Sequence, residues 1–288
     1  MPELPEVETV VRTLRPSLVG RTIVGFELFW PRTLHGLDPD EFRLRTLGRS
    51  IVDVRRRAKF IVLELVDGDR ISVHLRMTGE LLFVGSTLDQ PPPHRAPYLR
   101  ARFELSDGAS LLFYDTRKFG RISLYSPAQW ELFDATLGVE PLSDAFTVAA
   151  LRAILKSRRR QMKPLLLDQT VIAGLGNIYV DESLFLACIN PLQPSQHVSR
   201  SKSADLHAAI VDVLREAVAD NGTTLRDYRG GAGQPGEHQF KLQIYGSAAG
   251  HPCPRCGAGL QRTVVGQRGT VFCPRCQRLP LRRDTPRL

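Results

Sequence analysis

No run of about 18 apolar residues occurs in this chain, and its first residues lack the basic-then-apolar layout of a signal peptide, so neither a membrane span nor secretion is supported. Internal repeats and low-complexity tracts are missing too. Cysteine is scarce, with five in 288 residues, four of them in two close pairs. A cytoplasmic setting with reduced thiols is expected, which disfavours a disulfide-stapled scaffold.

What is present is globular. Apolar content of 42% and charged content of 24% lie near the averages for folded proteins. A length of 288 residues suits two domains, each with its own core. The net charge of +9 and pI near 9.7 suggest an anionic partner. That charge is unevenly placed: residues 1–144 carry 19 Lys+Arg against 20 Asp+Glu, and residues 145–288 carry 20 against 10. The basic surplus belongs to the C-terminal half.

Hydrophobic period divides the chain in the same way. Val7, Val10, Val11, Leu14 and Leu18 recur at helical spacing. From 22 to 125 the period shortens, in "RTIVGFELFW", "SIVDVRRR", "KFIVLELV", "RISVHLRM", "ELLFVG", "YLRARFEL" and "SLLFYD". These are β-branched and aromatic runs, some separated by the hairpin-turn sequences "DGD" and "SDG", and they predict a β-sandwich or barrel. From about 127 helical patterns take over: "SPAQWELFDATLG", "TVAALRAILKS", "NIYVDESLFLACI" and "SADLHAAIVDVLREAVADNG", the last with Gly222 placed as a C-cap. The fold class expected is α+β in two domains. The segments are 2–134 for the sandwich, 135–147 as linker, 148–240 for the helical part and 241–288 for a terminal module.

That module contains Cys253, Cys256, Cys273 and Cys276, a C-x2-C-x16-C-x2-C pattern. Each C-x2-C turn brings two thiolates within reach of one ion, and sixteen residues suffice for a hairpin that returns the second pair. The pattern predicts a tetrahedral four-cysteine zinc site, the alternatives being two disulfides or four buried thiols. Four protein ligands close the coordination sphere, so the one zinc ion would be structural. Arg255, Arg262, Arg268 and Arg275 in and around the hairpin suit backbone phosphates. Cys188, alone on an apolar helix face, reads as core.

The opening "MPELPEVETV" places two prolines and three glutamates in the first eight residues. Locally this reads as a helix start, with acids at the positive end of the dipole. It is also the first of several stretches that together resemble one family. The others are "RRAKF" at 56–60, "HLRMTG" at 74–79, "DTRKFG" at 115–120 and "KPLLLDQTVIAGLGNIYVDESLF" at 163–185, with the four-cysteine ribbon and "QR" at 267–268. In this order, over nearly the whole chain, they are similar to the formamidopyrimidine-DNA glycosylases of the Fpg/Nei group, and within it to the Fpg branch.

The resemblance implies a sandwich N-domain, a helix-two-turn-helix C-domain, a zinc finger, and double-stranded DNA bound in the cleft between them. It implies removal of Met1, leaving Pro2 with a free secondary amine. An α-amine titrates near pH ~8, so part of it is an unprotonated nucleophile at neutral pH. Attack at a sugar C1′ would then yield an iminium, an electron sink for strand cleavage. Glu3 is the expected proton donor to the ring oxygen, and Glu6 a structural or water-ordering acid. Lys59 would touch phosphate and assist β-elimination. Arg268 would serve δ-elimination, better as a phosphate clamp than as a proton source, given its pKa above ~12.

A stacked base cannot be attacked at C1′, so the nucleotide must be extruded and the gap filled. Met77, Arg117 and Phe119 match the family's void-filling set, two apolar wedges and a guanidinium for the orphaned base. DNA contacts carry over to His74, His94, Arg117, Arg158, Lys163 and Asn177, the last beside a Gly174-Leu175-Gly176 turn suited to a phosphate. "GGAGQPGEH" corresponds to a segment that folds over the extruded base. The residues after Cys276, with Arg278, Arg282 and Arg283, run longer than the family pattern and suggest either added DNA affinity or a disordered tail. The activity implied is a DNA glycosylase and abasic-site lyase of base excision repair for oxidised purines, acting as a monomer in the bacterial cytoplasm. Oxidised-pyrimidine specificity, as in the endonuclease VIII branch, and a noncatalytic zinc-ribbon nucleic-acid binder are the rivals.

Overall fold

The computed structural model describes residues 1–85, 93–224 and 235–279. Part of "GGAGQPGEH", and the tail with Arg282 and Arg283, lie outside the described residues. Two compact units form, one from Met1–Leu137 with Ala217–Phe240, the other from Gly138–Glu216 with Lys241–Leu288.

The first unit opens with α1 (Leu4–Leu18), whose apolar stripe Val7, Val10, Val11, Leu14 and Leu18 is buried. Glu3 is its N-cap in a capping box with Glu6, and a proline occupies the first turn, where no intrahelical N–H is required. Then come β1 (Ile23–Leu28), α2 (Pro39–Thr46), β2 (Ile51–Arg57), β3 (Phe60–Leu65), β4 (Arg70–His74), β5 (Gly79–Val84), β6 (Leu99–Leu105), β7 (Ser110–Asp115) and β8 (Arg121–Tyr125). They pair antiparallel in two four-stranded sheets, β1-β6-β7-β5 and β2-β3-β4-β8. Each of the seven segments expected as strands contains one; β8 was not foreseen. The turns in "DGD" and "SDG" place Gly68 at φ 88 and Gly108 at φ 80, left-handed conformations that glycine adopts without penalty. α3 (Pro127–Asp134) starts at a Ser126–Gln129 capping box.

Side chains from α1 and both sheets meet in one core, including Val10, Leu14, Ile61, Leu63, Ile71, Phe103, Leu111 and Phe113. A helix laid on the sandwich therefore buries its stripe where the sheets bury theirs. Truncating one of these residues to alanine would cost about 2–5 kcal/mol.

The second unit contains α4 (Val148–Ser157), α5 (Met162–Leu167), α6 (Asn177–Leu186), α7 (Arg200–Ala219, divided after Glu216) and the hairpin β9 (Gln261–Val265) and β10 (Arg268–Phe272). Leu151, Leu155, Leu165, Tyr179, Leu206 and Ile210 are buried within it. Phe185 of α6 joins Ile244, Cys253, Leu260, Val271 and Cys273 in a second cluster, which seats the cysteine hairpin on the helices. Beyond α7, Asn221 at φ 58 and Gly222 at φ 83 reverse the chain, and the Gly222 N–H donates to the Ala217 carbonyl at 2.7 Å. No helix of the described residues is long and apolar enough to cross a membrane.

Candidate active site and metal centre

In the first unit the capping box fixes the chain's start. The Glu3 N–H donates to Glu6 Oε2 at 2.7 Å, and both carboxylates are buried. Pro2 is buried just before them. The other oxygen of Glu6 accepts from the Thr223 N–H, also at 2.7 Å. Gly222 lies so close that a Cβ there would stand 2.9 Å from Glu6 Oε1.

Lys59 sits in the two-residue turn between β2 and β3, closed by the Arg57–Phe60 pair. Ala58 before it has φ 52, where an L residue with a Cβ is strained. That geometry buries Lys59. The preceding arginines are all engaged by acids: Arg55 by Asp53 and Glu64, Arg56 by Glu8, Arg57 by Asp134. Across the sheet, His74 pairs with Phe60 on one side and Arg121 on the other, and its ring meets Phe60 edge-on at 4.7 Å. Desolvation, reinforced by the charges of Arg76, Lys59 and Arg121, pushes His74 down to about 3. The imidazole is therefore neutral among three cations and remains a hydrogen-bonding group.

Met77 and Phe119 are exposed at 40% and 53%, against the usual burial of such side chains, and the Arg117 guanidinium lies 5.0 Å from the Phe119 ring centre. His94 is exposed in the short 3-10 segment Pro93–Tyr98.

In the second unit Arg158 is exposed at the end of α4. Lys163 is not: it is 0% exposed, pairs with Asp181 at 2.7 Å and donates to the Gly269 carbonyl at 2.9 Å. Its ammonium is thus engaged by Asp181 and by the backbone of β10. Asn177 begins α6 after extended Gly176 and also donates to the Gly269 carbonyl, at 3.1 Å. Burial pushes Asp181 up while Lys163 and the Val271 N–H oppose the shift. Arg268 is exposed directly after the hairpin turn, in which Gly266 and Gln267 both have positive φ, the two-residue turn that suits the twist of antiparallel strands.

The sulfurs of Cys253, Cys256, Cys273 and Cys276 all lie within 4.8 Å of one another. Cys253 and Cys276 are 4.0 Å apart, Cys256 and Cys273 3.5 Å. Such separations are too long for S–S bonds and match the edges of a tetrahedron with metal–sulfur distances of about 2.3 Å. The Ala258 N–H lowers the Cys256 thiol to about 7, whereas desolvation and the neighbouring sulfurs raise Cys276. Four thiolates this close require a cation. Buried Gln277 locks the second knuckle: its side chain accepts from the Cys273 N–H and donates to the Ile189 carbonyl, and its own carbonyl accepts from Asn190. The donor set fits one structural zinc ion.

Sequence reasoning missed Asp115, Asp181 and Thr223, each of which has a partner distant in the chain: the Thr78 hydroxyl for Asp115, Lys163 and the Val271 N–H for Asp181, and the Glu6 carboxylate for Thr223. Asp115 and Asp181 lie within the stretches "DTRKFG" and "KPLLLDQTVIAGLGNIYVDESLF", but nothing in those stretches names the partners.

Comparison with known proteins finds matches over nearly the whole chain. Residues 1–122 match the formamidopyrimidine-DNA glycosylase N-terminal domain, 137–229 that enzyme's H2TH domain, and 250–279 a zinc finger found in FPG and IleRS. The formamidopyrimidine-DNA glycosylase of Chloroflexus aggregans is 47% identical over 96% of this chain and 98% of its own. The Fpg of Lactococcus lactis, solved with DNA containing N7-benzyl-Fapy-dG, superposes with a TM-score of 0.86 at 36% identity, covering 96% of this chain and 100% of that one. The same enzyme with abasic-site DNA also gives 0.86 at 36%, covering 96% and 99%. With all three domain types present in order and relatives this similar along its length, the chain belongs to the formamidopyrimidine-DNA glycosylase family.

Proposed function

We infer that this protein is a DNA glycosylase and abasic-site lyase of base excision repair, removing oxidised purines such as 8-oxoguanine and formamidopyrimidines from double-stranded DNA. The observation that carries the reading is the start of the chain, where Pro2 is buried beside a Glu3 whose N–H is held by Glu6.

Once Met1 is removed, the Pro2 nitrogen carries a lone pair. It bonds to C1′ as the C1′–base bond breaks and then gives up its N–H proton, which restores its lone pair; the base leaves with the bonding electrons and takes up a proton, so the two proton transfers balance. Glu3 protonates the ring oxygen, the C1′–O4′ bond opens, and the nitrogen's electrons complete a cationic iminium. Loss of a C2′ proton then expels the 3′ phosphate, and a second elimination expels the 5′ phosphate. Lys59 and neutral His74 bind phosphate at their end of the sheet. Arg117 takes the orphaned base, and Met77 and Phe119 support its neighbours. Arg158, Asn177, His94 and Arg268 contact the strand, and the zinc ion holds the hairpin that presents Arg268.

Borohydride reduction in the presence of abasic-site duplex tests this. A covalent protein–DNA adduct is expected, absent or severely reduced in Pro2→Gly while DNA affinity is largely kept. Tight binding without an adduct would make the protein a binder only, and undiminished trapping by protein shown by mass spectrometry to retain Met1, in which the Pro2 nitrogen is an amide, would remove the nucleophile from the mechanism.

A further inference from the structure

The pairing of β5 with β7 brings two exposed turns to one carboxylate. Asp115 ends β7 at 1% exposure. Its Oδ1 accepts from the Thr78 hydroxyl at 2.5 Å and from the Arg117 N–H at 3.1 Å, and its Oδ2 accepts from the Gly120 N–H at 2.6 Å. Thr78 Oγ1 shares the Arg117 N–H at 3.2 Å. The Asp115 carbonyl accepts from Arg100 Nε at 2.8 Å, which anchors the residue from behind. Gly120 approaches so closely that a Cβ there would meet the Phe113 ring at 2.4 Å and Asp115 Oδ2 at 3.2 Å. The turn before β5 carries Met77, and the turn after β7 carries Arg117 and Phe119. Both contain a non-glycine residue at positive φ, Arg76 at 55 and Lys118 at 61, conformations held only where the surroundings fix them.

We propose that Asp115 is the positioning residue for Met77, Arg117 and Phe119. Together with Thr78 it sets the spacing between the two turns, so that both wedges and the guanidinium reach the gap in one rigid arrangement. This rests on the gap-filling role of those three residues in the proposed function. Hydrogen bonds to a buried carboxylate are the strong kind, and three of them order the turns before DNA arrives. Loose turns would have to be ordered at each encounter, at the expense of the energy that unstacks the base.

Two variants and two DNAs test the proposal. Asp115→Asn sets an amide N–H against a backbone N–H, and Thr78→Val removes only the hydroxyl. One DNA is a duplex with 8-oxoguanine opposite cytosine or adenine; the other is a single-stranded oligonucleotide with an abasic site, which has no partner base and no gap. Each variant is expected to lower duplex excision about tenfold and to flatten the difference between opposite bases. Borohydride trapping on the single strand should stay within about twofold of the parent. Equal losses on both DNAs, or duplex excision that keeps its rate and its opposite-base dependence, would overturn the proposal. Melting temperatures report folding, and Thr78→Val decides the matter if Asp115→Asn does not fold. Should the parent protein trap neither DNA, it is the glycosylase reading that fails, whatever Asp115 does.

Discussion

Glu6 and Thr223 stand 217 residues apart in the chain, yet the carboxylate of one accepts the N–H of the other at 2.7 Å. The remaining oxygen of Glu6 holds the N–H of Glu3. One buried acid thus joins the first turn of α1 to the segment beyond the end of α7.

Glu6→Gln should break one of those two bonds, because an amide has a single acceptor oxygen and its NH2 would face the other N–H. The expected cost is about 1–3 kcal/mol of stability, the desolvation penalty of an unsatisfied donor, with reduced borohydride trapping. Urea unfolding and trapping on the same preparation measure both. A variant as stable as its parent would show that one acceptor suffices.

His74 gives a pH dependence of known sign. Its folded value of about 3 lies below the ordinary 6.5, so protonation favours the unfolded chain. The stabilisation is fully present above about 6.5 and is lost as pH falls toward 3, at up to about 1.4 kcal/mol per unit. Between pH 6.5 and 5 the parent should lose about 2 kcal/mol more than His74→Gln. Parallel curves for the two proteins in urea would contradict this.

Lys163 and Asp181 form a buried pair, so Lys163→Met should cost about 3–5 kcal/mol by stranding a carboxylate, and adding Asp181→Leu should recover most of it. Lys163 meets solvent nowhere, so the salt dependence of DNA binding should keep its slope in the double variant. Arg158→Gln should instead lower that slope by about 0.9, one phosphate contact. Titrating affinity against salt separates the two.

Removing zinc with a chelator should release four titratable thiols and weaken DNA binding by about tenfold or more, because two of the six buried residues in the hairpin's cluster are cysteine ligands. Trapping per bound complex should change far less. Unchanged affinity after verified metal loss would show that the hairpin folds on its own.

Features built on a period or a fixed spacing were legible in the sequence. The α1 stripe, the strand runs and the two C-x2-C knuckles are local patterns, and each appears where its pattern lay. β8 alternates strictly, with Ile122 and Leu124 buried between Arg121, Ser123 and Tyr125, but a strand of five residues is too short to stand out from the exposed turn before it. Lys163 enters from the sequence as a DNA contact, and its buried pairing with Asp181 goes unannounced because that partner is on another helix, at no helical spacing. Asp115 opens the "DTRKFG" motif, but its function depends on a hydroxyl 37 residues away and on two backbone N–H groups, which no residue pattern announces.

The three consecutive arginines before Lys59 have one more consequence. Each is neutralised by a carboxylate of its own unit, so this most basic stretch of the N-terminal half projects little field into solvent. Attraction of a distant polyanion must then originate in the surplus cations beyond residue 145. Ionic strength would accordingly govern how fast a duplex is captured, and leave the reactivity of a duplex already held nearly untouched.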